Sequence, residues 1–199
     1  MFGKAVIAGM FIALGCMVNL KVGGYLGAFL FSFGLLSVVL YAVPLYTGRA
    51  GFCSTSEDLK RLPLVLLGNV VGTTILAGCA HGCFQDMVEA AQKIVQVRMT
   101  SPLYAGFFAS VLCGFIMTTI VQFARKHPDG DEPRNFLILI LGIPLFILSG
   151  YWHSIADAFY YGVAGRFDIS MLCTTVVGNY LGCNAYNLLV HRSVFYHKV

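Results

Sequence analysis

Six stretches of this chain hold no acidic residue, lysine or arginine: 5–20, 22–48, 62–80, 99–124, 135–156 and 169–190, with His153 in the fifth. Each approaches or exceeds the roughly 20 residues that an α-helix needs to cross a hydrocarbon core. The shorter first and third runs can be completed through flanking polar residues. Between the runs no segment is long enough for a further domain, and 58% of the residues are hydrophobic against 11% charged. The mean hydropathy of +0.78 is far from that of a water-soluble domain. The expectation is an all-α integral membrane protein with six transmembrane helices in one domain, 1–199. No small-residue cleavage pattern follows the first run, so it is expected to remain as a span.

The charges fall between the runs. Ser54 to Arg61, Arg125 to Arg134 and the tail from His191 share one side if the chain crosses at each run. Lys4, Lys60, Arg61, Arg125, Lys126, Arg134, Arg192 and Lys198 then lie with both termini, against Lys21, Lys93, Arg98 and Arg166 opposite. The positive-inside rule places both termini in the cytoplasm and the protein in the inner (cytoplasmic) membrane, with the lipid bilayer as its surroundings. A net charge of +4 spread over loops is explained by orientation, and no arginine-rich arm points to nucleic acid.

Cys16, Cys53, Cys79, Cys83, Cys113, Cys173 and Cys183 are odd in number and mostly within apolar runs, so they read as small packing residues rather than a disulfide framework. Cys79-Ala-His81-Gly-Cys83 has ligand-like spacing but falls short of four ligands, and the reading is a helix end with no metal or cofactor.

A faint internal repeat narrows the architecture. Gly68-Asn-Val-Val-Gly72 recurs as Gly178-Asn-Tyr-Leu-Gly182, and Ala8-Gly-Met-Phe as Ala105-Gly-Phe-Phe. Three spans followed by three make an inverted-topology repeat, with halves at about 1–83 and 99–192, and a site near the midplane between discontinuous helices. The second and fifth helices are expected to be broken: one holds Pro44-Leu-Tyr-Thr-Gly48, the other Ser149-Gly-Tyr-Trp-His-Ser154. An ionisable side chain at such a break is a candidate functional residue, which singles out His153. For the repeated glycines close helix packing is the preferred role; for Asn179 packing and pore lining stand side by side.

In the order Ala8 to Gly15, Leu45-Tyr-Thr-Gly48, Gly68-Asn69, Ser110 to Gly114, Gly150 to Asp157 and Val177-Gly-Asn179, the chain resembles the formate/nitrite transporter family. The resemblance runs over nearly the whole length and implies a pentamer of aquaporin-like protomers. It implies that His153 is the central pore histidine, that Thr47 faces it, and that Asn179 lies near the same site. Phe31, Leu35, Leu45, Tyr46 and Phe146 fall where apolar side chains narrow the pore, and Arg98 near a basic residue that attracts anions at the outer mouth. Gly114 stands on the substrate pathway where an asparagine is usual, Trp152 and Pro44 stand for acidic residues, and Tyr46 for phenylalanine.

The function implied is a channel or proton-coupled transporter for a small monovalent anion or weak acid: formate, nitrite, hydrosulfide or a short-chain carboxylate. No enzymatic chemistry is needed. A dehydrated anion costs several kcal/mol in an apolar constriction, and an imidazole can attract it or donate a proton so that the weak acid crosses neutral. Two other readings are an aquaporin-like pore for neutral solutes, against which stands the lack of paired Asn-Pro-Ala motifs, and a membrane-embedded metal protein using His81, His153 and the cysteines.

Overall fold

The computed structural model describes residues 1–53, 55–126 and 133–195. The second charged loop at 127–132 and the end of the basic tail, 196–199, lie outside the described residues. Among the described residues there is no strand. The helices are α1 (Phe2–Val22), α2 (Gly24–Leu30), α3 (Ser32–Leu40), α4 (Tyr46–Ala50), α5 (Ser56–Cys83), α6 (Gln85–Thr100), α7 (Leu103–Lys126), α8 (Pro133–Leu148), α9 (Ser154–Ala164) and α10 (Ile169–Phe195).

Three stretches, Phe2–Val22, Ser56–Cys83 and Leu103–Phe123, are long and apolar enough to cross a membrane; Gly24–Leu40 and Leu137–Leu148 are shorter apolar segments. The third uncharged run is lengthened at its start by a capping box, in which the Thr55 hydroxyl accepts from the Asp58 N–H and the Asp58 carboxylate accepts from the Thr55 N–H.

Glycines set the two tightest helix pairs. A β-carbon at Gly9 of α1 would run into the backbone carbonyl of Asn69 on α5, and one at Gly114 of α7 into that of Asn179 on α10. Removing the side chain lets the backbones touch, which is how helices pack in lipid without a hydrophobic driving force. This corrects the register of the repeat read from sequence. The counterpart of Gly9 is Gly114, not Gly106; Gly106 instead makes room for the Trp152 ring, which a β-carbon there would meet.

α3 and α8 end alike. The Ala42 N–H reaches the Val39 carbonyl and the Val43 N–H the Val38 carbonyl, at 3.1 and 3.2 Å; Gly150 and Tyr151 repeat this on Ile147 and Phe146, at 3.0 and 3.1 Å. Both are Schellman ends, whose first outside residue is left-handed. Gly150 takes φ 71° there and Ala42 φ 49°, the latter against the preference of any residue with a β-carbon. The chain then runs non-helically through 43–45 and 151–153 before α4 and α9 begin. The interruptions therefore lie slightly before the expected positions: Tyr46, Thr47 and Ser154 are already helical. Pro144 inside α8 cannot donate to the Ile140 carbonyl, and the Ser32 hydroxyl donates to that carbonyl instead, at 3.3 Å.

α6 is an element the uncharged runs did not announce. Met87, Val88, Ala91 and Val95 are buried at helical spacing, and α6 packs on α9. Its start is tied to the end of α1 by Lys21, whose ammonium donates to Asp86 at 2.6 Å and holds that carboxyl below its ordinary range.

Candidate functional site

The two interrupted helices meet at a buried polar contact. Thr47 Oγ1 lies 2.9 Å from His153 Nε2, across 106 residues of sequence, with Thr47 at 0% and His153 at 2% exposure. His153 is the N-cap of α9, and its Nδ1 accepts the Ala156 N–H at 3.2 Å. An Nδ1 that accepts carries no proton, so the neutral ring bears its proton on Nε2 and donates it to Thr47. The Thr47 hydroxyl hydrogen remains available for a third group.

Each interruption is held by one asparagine. Asn69 accepts the Tyr46 N–H at 2.7 Å and donates to the carbonyls of Pro44 and Ala5 at 3.0 and 2.8 Å. Asn179 accepts the Ser154 N–H at 2.8 Å and donates to the carbonyls of Trp152 and Ser110, both at 2.8 Å. In both cases the amide caps the first N–H of the resumed helix and holds the carbonyl two residues before it. Both asparagines are wholly buried. Sequence reasoning weighed only Asn179 as a site residue, although the repeated Gly-Asn-x-x-Gly pattern pointed equally to Asn69. With both amide hydrogens engaged by backbone, Asn179 holds the break rather than offering donors to a path.

Of the apolar candidates, Phe146 stands against His153 and Phe31 against Phe146. The Phe146 ring lies 5.9 Å from the His153 ring and 6.0 Å from the Phe31 ring, edge to face with the latter. Phe31, Leu35, Leu45, Tyr46 and Phe146 are all buried. The Tyr46 hydroxyl, the departure from phenylalanine, is satisfied by donating to the Val176 carbonyl at 3.1 Å. Gly114 has no side chain to hydrogen-bond and sits at the α7–α10 contact; beside it the Cys183 thiol donates to the Thr47 and Gly114 main-chain carbonyls, both at 3.4 Å.

Arg98, from the last turn of α6, is not an isolated cation. Its Nε donates to Asp157 Oδ1 at 3.3 Å, its Nη1 to the Gly150 carbonyl at 3.4 Å, and its guanidinium lies 4.4 Å from the centre of the Trp152 ring. A cavity of about 250 Å³ opens between α6, α9 and the 149–153 interruption, lined by Arg98, Asp157 and His153 among others. A second, of about 230 Å³, is lined by Lys4, Pro44, Arg49 and Arg61. His81 closes a helix end, its Nδ1 2.8 Å from the Val163 carbonyl. No three His, Cys, Asp or Glu among the described residues come together as a metal-binding group.

Comparison with known proteins adds the following. The profile of the family described as formate/nitrite transporter matches residues 1–191. A curated relative, the formate channel FocA of Haemophilus influenzae, is 24% identical over 147 residues, which cover 67% of this chain and 51% of that protein. The match thus spans about half the length of that relative. Two solved structures share the fold. A pentameric formate channel with formate bound has a TM-score of 0.78 at 19% identity, covering 98% of this chain and 94% of the other. A channel described as an FNT family ion channel has 0.77 at 20%, covering 100% and 89%.

Proposed function

We propose, from the premise that this chain belongs to the formate/nitrite transporter family, that it passes small monovalent anions, or the weak acids they form, across a bilayer. It is a multi-pass membrane protein of a transporter family rather than an enzyme. The observation that carries the proposal is the buried Thr47–His153 contact between the ends of two interrupted helices.

An anion entering the apolar ring of Phe31, Leu35, Leu45, Tyr46 and Phe146 loses water at a cost of several kcal/mol. At its centre it meets a hydroxyl whose hydrogen is unclaimed and, behind it, an imidazole. Thr47 donates to the permeant oxygen while His153 holds Thr47 in place. The N-terminus of α9 adds partial positive charge worth a few tenths to about 2 kcal/mol. When the His153 ring takes up a proton at Nδ1 from the cavity that it lines, giving up the Ala156 bond, the imidazolium passes its Nε2 proton through the Thr47 hydroxyl to the anion and returns to neutral imidazole, so a weak acid crosses neutral and transport couples to protons.

The pairwise likeness of the Asn69 and Asn179 clamps, of the two Schellman ends and of the Gly9 and Gly114 contacts supports six spans in an inverted repeat. By the positive-inside rule both termini face the cytoplasm in the inner membrane. The protomers assemble as pentamers with one path each, as the pentameric formate channel of like fold suggests.

Liposome flux tests the reading. The reconstituted protein is expected to carry formate, faster when an inward proton gradient is imposed, and to leave glycerol excluded. Equal rates for formate and glycerol, or formate flux blind to the gradient, would overturn it in favour of a neutral-solute pore or a passive anion channel respectively.

A further inference from the structure

Asp157 stands one helical turn beyond His153 on α9 and lines the same cavity. Among the described residues of that lining, Arg98 and Asp157 are the guanidinium and the carboxylate beside His153, and both are withdrawn from bulk water, with side-chain exposures of 12% and 2%. Their contact is loose. One guanidinium nitrogen reaches one carboxylate oxygen at 3.3 Å, where a charge-assisted bond is ordinarily about 2.7–2.9 Å and an arginine–carboxylate pair is commonly two-pronged. The guanidinium is held from elsewhere, by stacking over Trp152 and by the Gly150 carbonyl. Trp152 in turn fits because Gly106 leaves space for its ring. The cation is therefore positioned independently of its carboxylate, and the cavity beside it has room for a small oxyanion.

We infer that the Asp157 carboxylate is a built-in competitor for the incoming anion on Arg98, so that the outer cavity binds an anion only by displacing it. The inference rests on the anion-transport reading above and names the residue that sets affinity at its outer mouth. A lone, fixed guanidinium with only 12% of its side chain exposed would hold an anion too well, and conduction requires binding weak enough to release. Asp157 supplies that weakening. Besides His153, the other described wall groups are uncharged polar or apolar ones: the Asn19 amide donates to the Tyr160 hydroxyl at 3.4 Å, and Ile94, Val97 and Ile147 are among the apolar ones.

Trp152 is the one tryptophan of the sequence and stacks on the guanidinium, so its fluorescence reports the state of Arg98 directly. Purified protein is titrated with sodium formate at constant ionic strength and the emission followed. Removing the competing charge with Asp157→Asn, which keeps an acceptor for Arg98, is expected to lower the half-saturating formate concentration at least about tenfold. Asp157→Ser should give the same shift should the asparagine variant fail to assemble. Asp157→Glu should stay near wild type, and Asp157→Asn with Arg98→Gln should lose the response. Half-saturation equal within about twofold in wild type and both neutral variants overturns the inference, as does a response that survives Arg98→Gln. The transport reading fails separately: wild-type liposomes that move no anion overturn that reading, whatever the fluorescence shift.

Discussion

At the scale of single residues, the proposed path divides groups that would touch the permeant anion from groups that shape the passage. Thr47 and His153 belong to the first kind. His153→Asn is expected to preserve assembly and to abolish the acceleration of formate flux by an inward proton gradient; a gradient effect as large as in wild type would leave His153 only its structural bonds to Thr47 and Ala156. Thr47→Val keeps the volume and removes the hydroxyl, and flux measured at constant protein amount should fall more than about tenfold, the size of effect that one lost polar contact of about 1.5 kcal/mol produces. Asn69 and Asn179 belong to the second kind. Replacing either by Leu strands two buried backbone groups at the interruption, the Tyr46 N–H and Pro44 carbonyl or the Ser154 N–H and Trp152 carbonyl, at about 1–3 kcal/mol each, so unfolding in mild detergent should cost several kcal/mol less. His153 stood out in the sequence because helix-breaking residues precede it in an uncharged run, whereas Thr47 drew notice only through the family resemblance. Asn69 was hidden by ambiguity, since an asparagine between two glycines on an apolar helix also suits plain packing. The Arg98–Asp157 pair was hidden by distance: its members are 59 residues apart and only the fold joins them.

Among elements, the interrupted helices matter most. Pro44 and the Ser149-Gly150 pair lie beside or within the stretches where helix gives way to non-helical backbone at 43–45 and 151–153, but the boundaries were not legible, because the first N–H of α4 and of α9 is capped by an asparagine side chain. That partner comes from another span, so Tyr46 and Thr47 turned out helical. The two Schellman ends give a paired test. Gly150→Ala puts a β-carbon at φ 71° and should cost about 1 kcal/mol in thermal or denaturant unfolding. Ala42→Gly relieves the same strain at φ 49° while making the unfolded chain freer, so its net effect should lie within about 0.5 kcal/mol of zero. A loss at Ala42→Gly as large as that at Gly150→Ala would show that the left-handed turn is not what distinguishes them. α6 was missed because its charges interrupt every apolar run, although the spacing of Met87, Val88, Ala91 and Val95 marks a helix when that segment is read by itself.

For the molecule as a whole, alternation of uncharged runs with charged connections made the membrane fold readable, and the repeated glycines pointed to the tight helix pairs while misleading about the register of the first. Orientation can be checked on the native cysteines. Cys79 and Cys83 are exposed near the end of α5, which the proposed topology places on the side of the membrane away from the cytoplasm. A variant retaining only Cys83 is expected to react with an impermeant maleimide added to intact cells; reaction only after the membrane is opened would reverse the topology. Both asparagine clamps end on main-chain atoms: the oxygens of Ala5, Pro44, Ser110 and Trp152 and the nitrogens of Tyr46 and Ser154. Every amino acid brings the carbonyl, and all but proline the N–H. The identities of residues 44, 110 and 152 can therefore drift over generations while the scaffold of the passage stays constant, and a lineage can acquire a new permeant without first inventing a new frame.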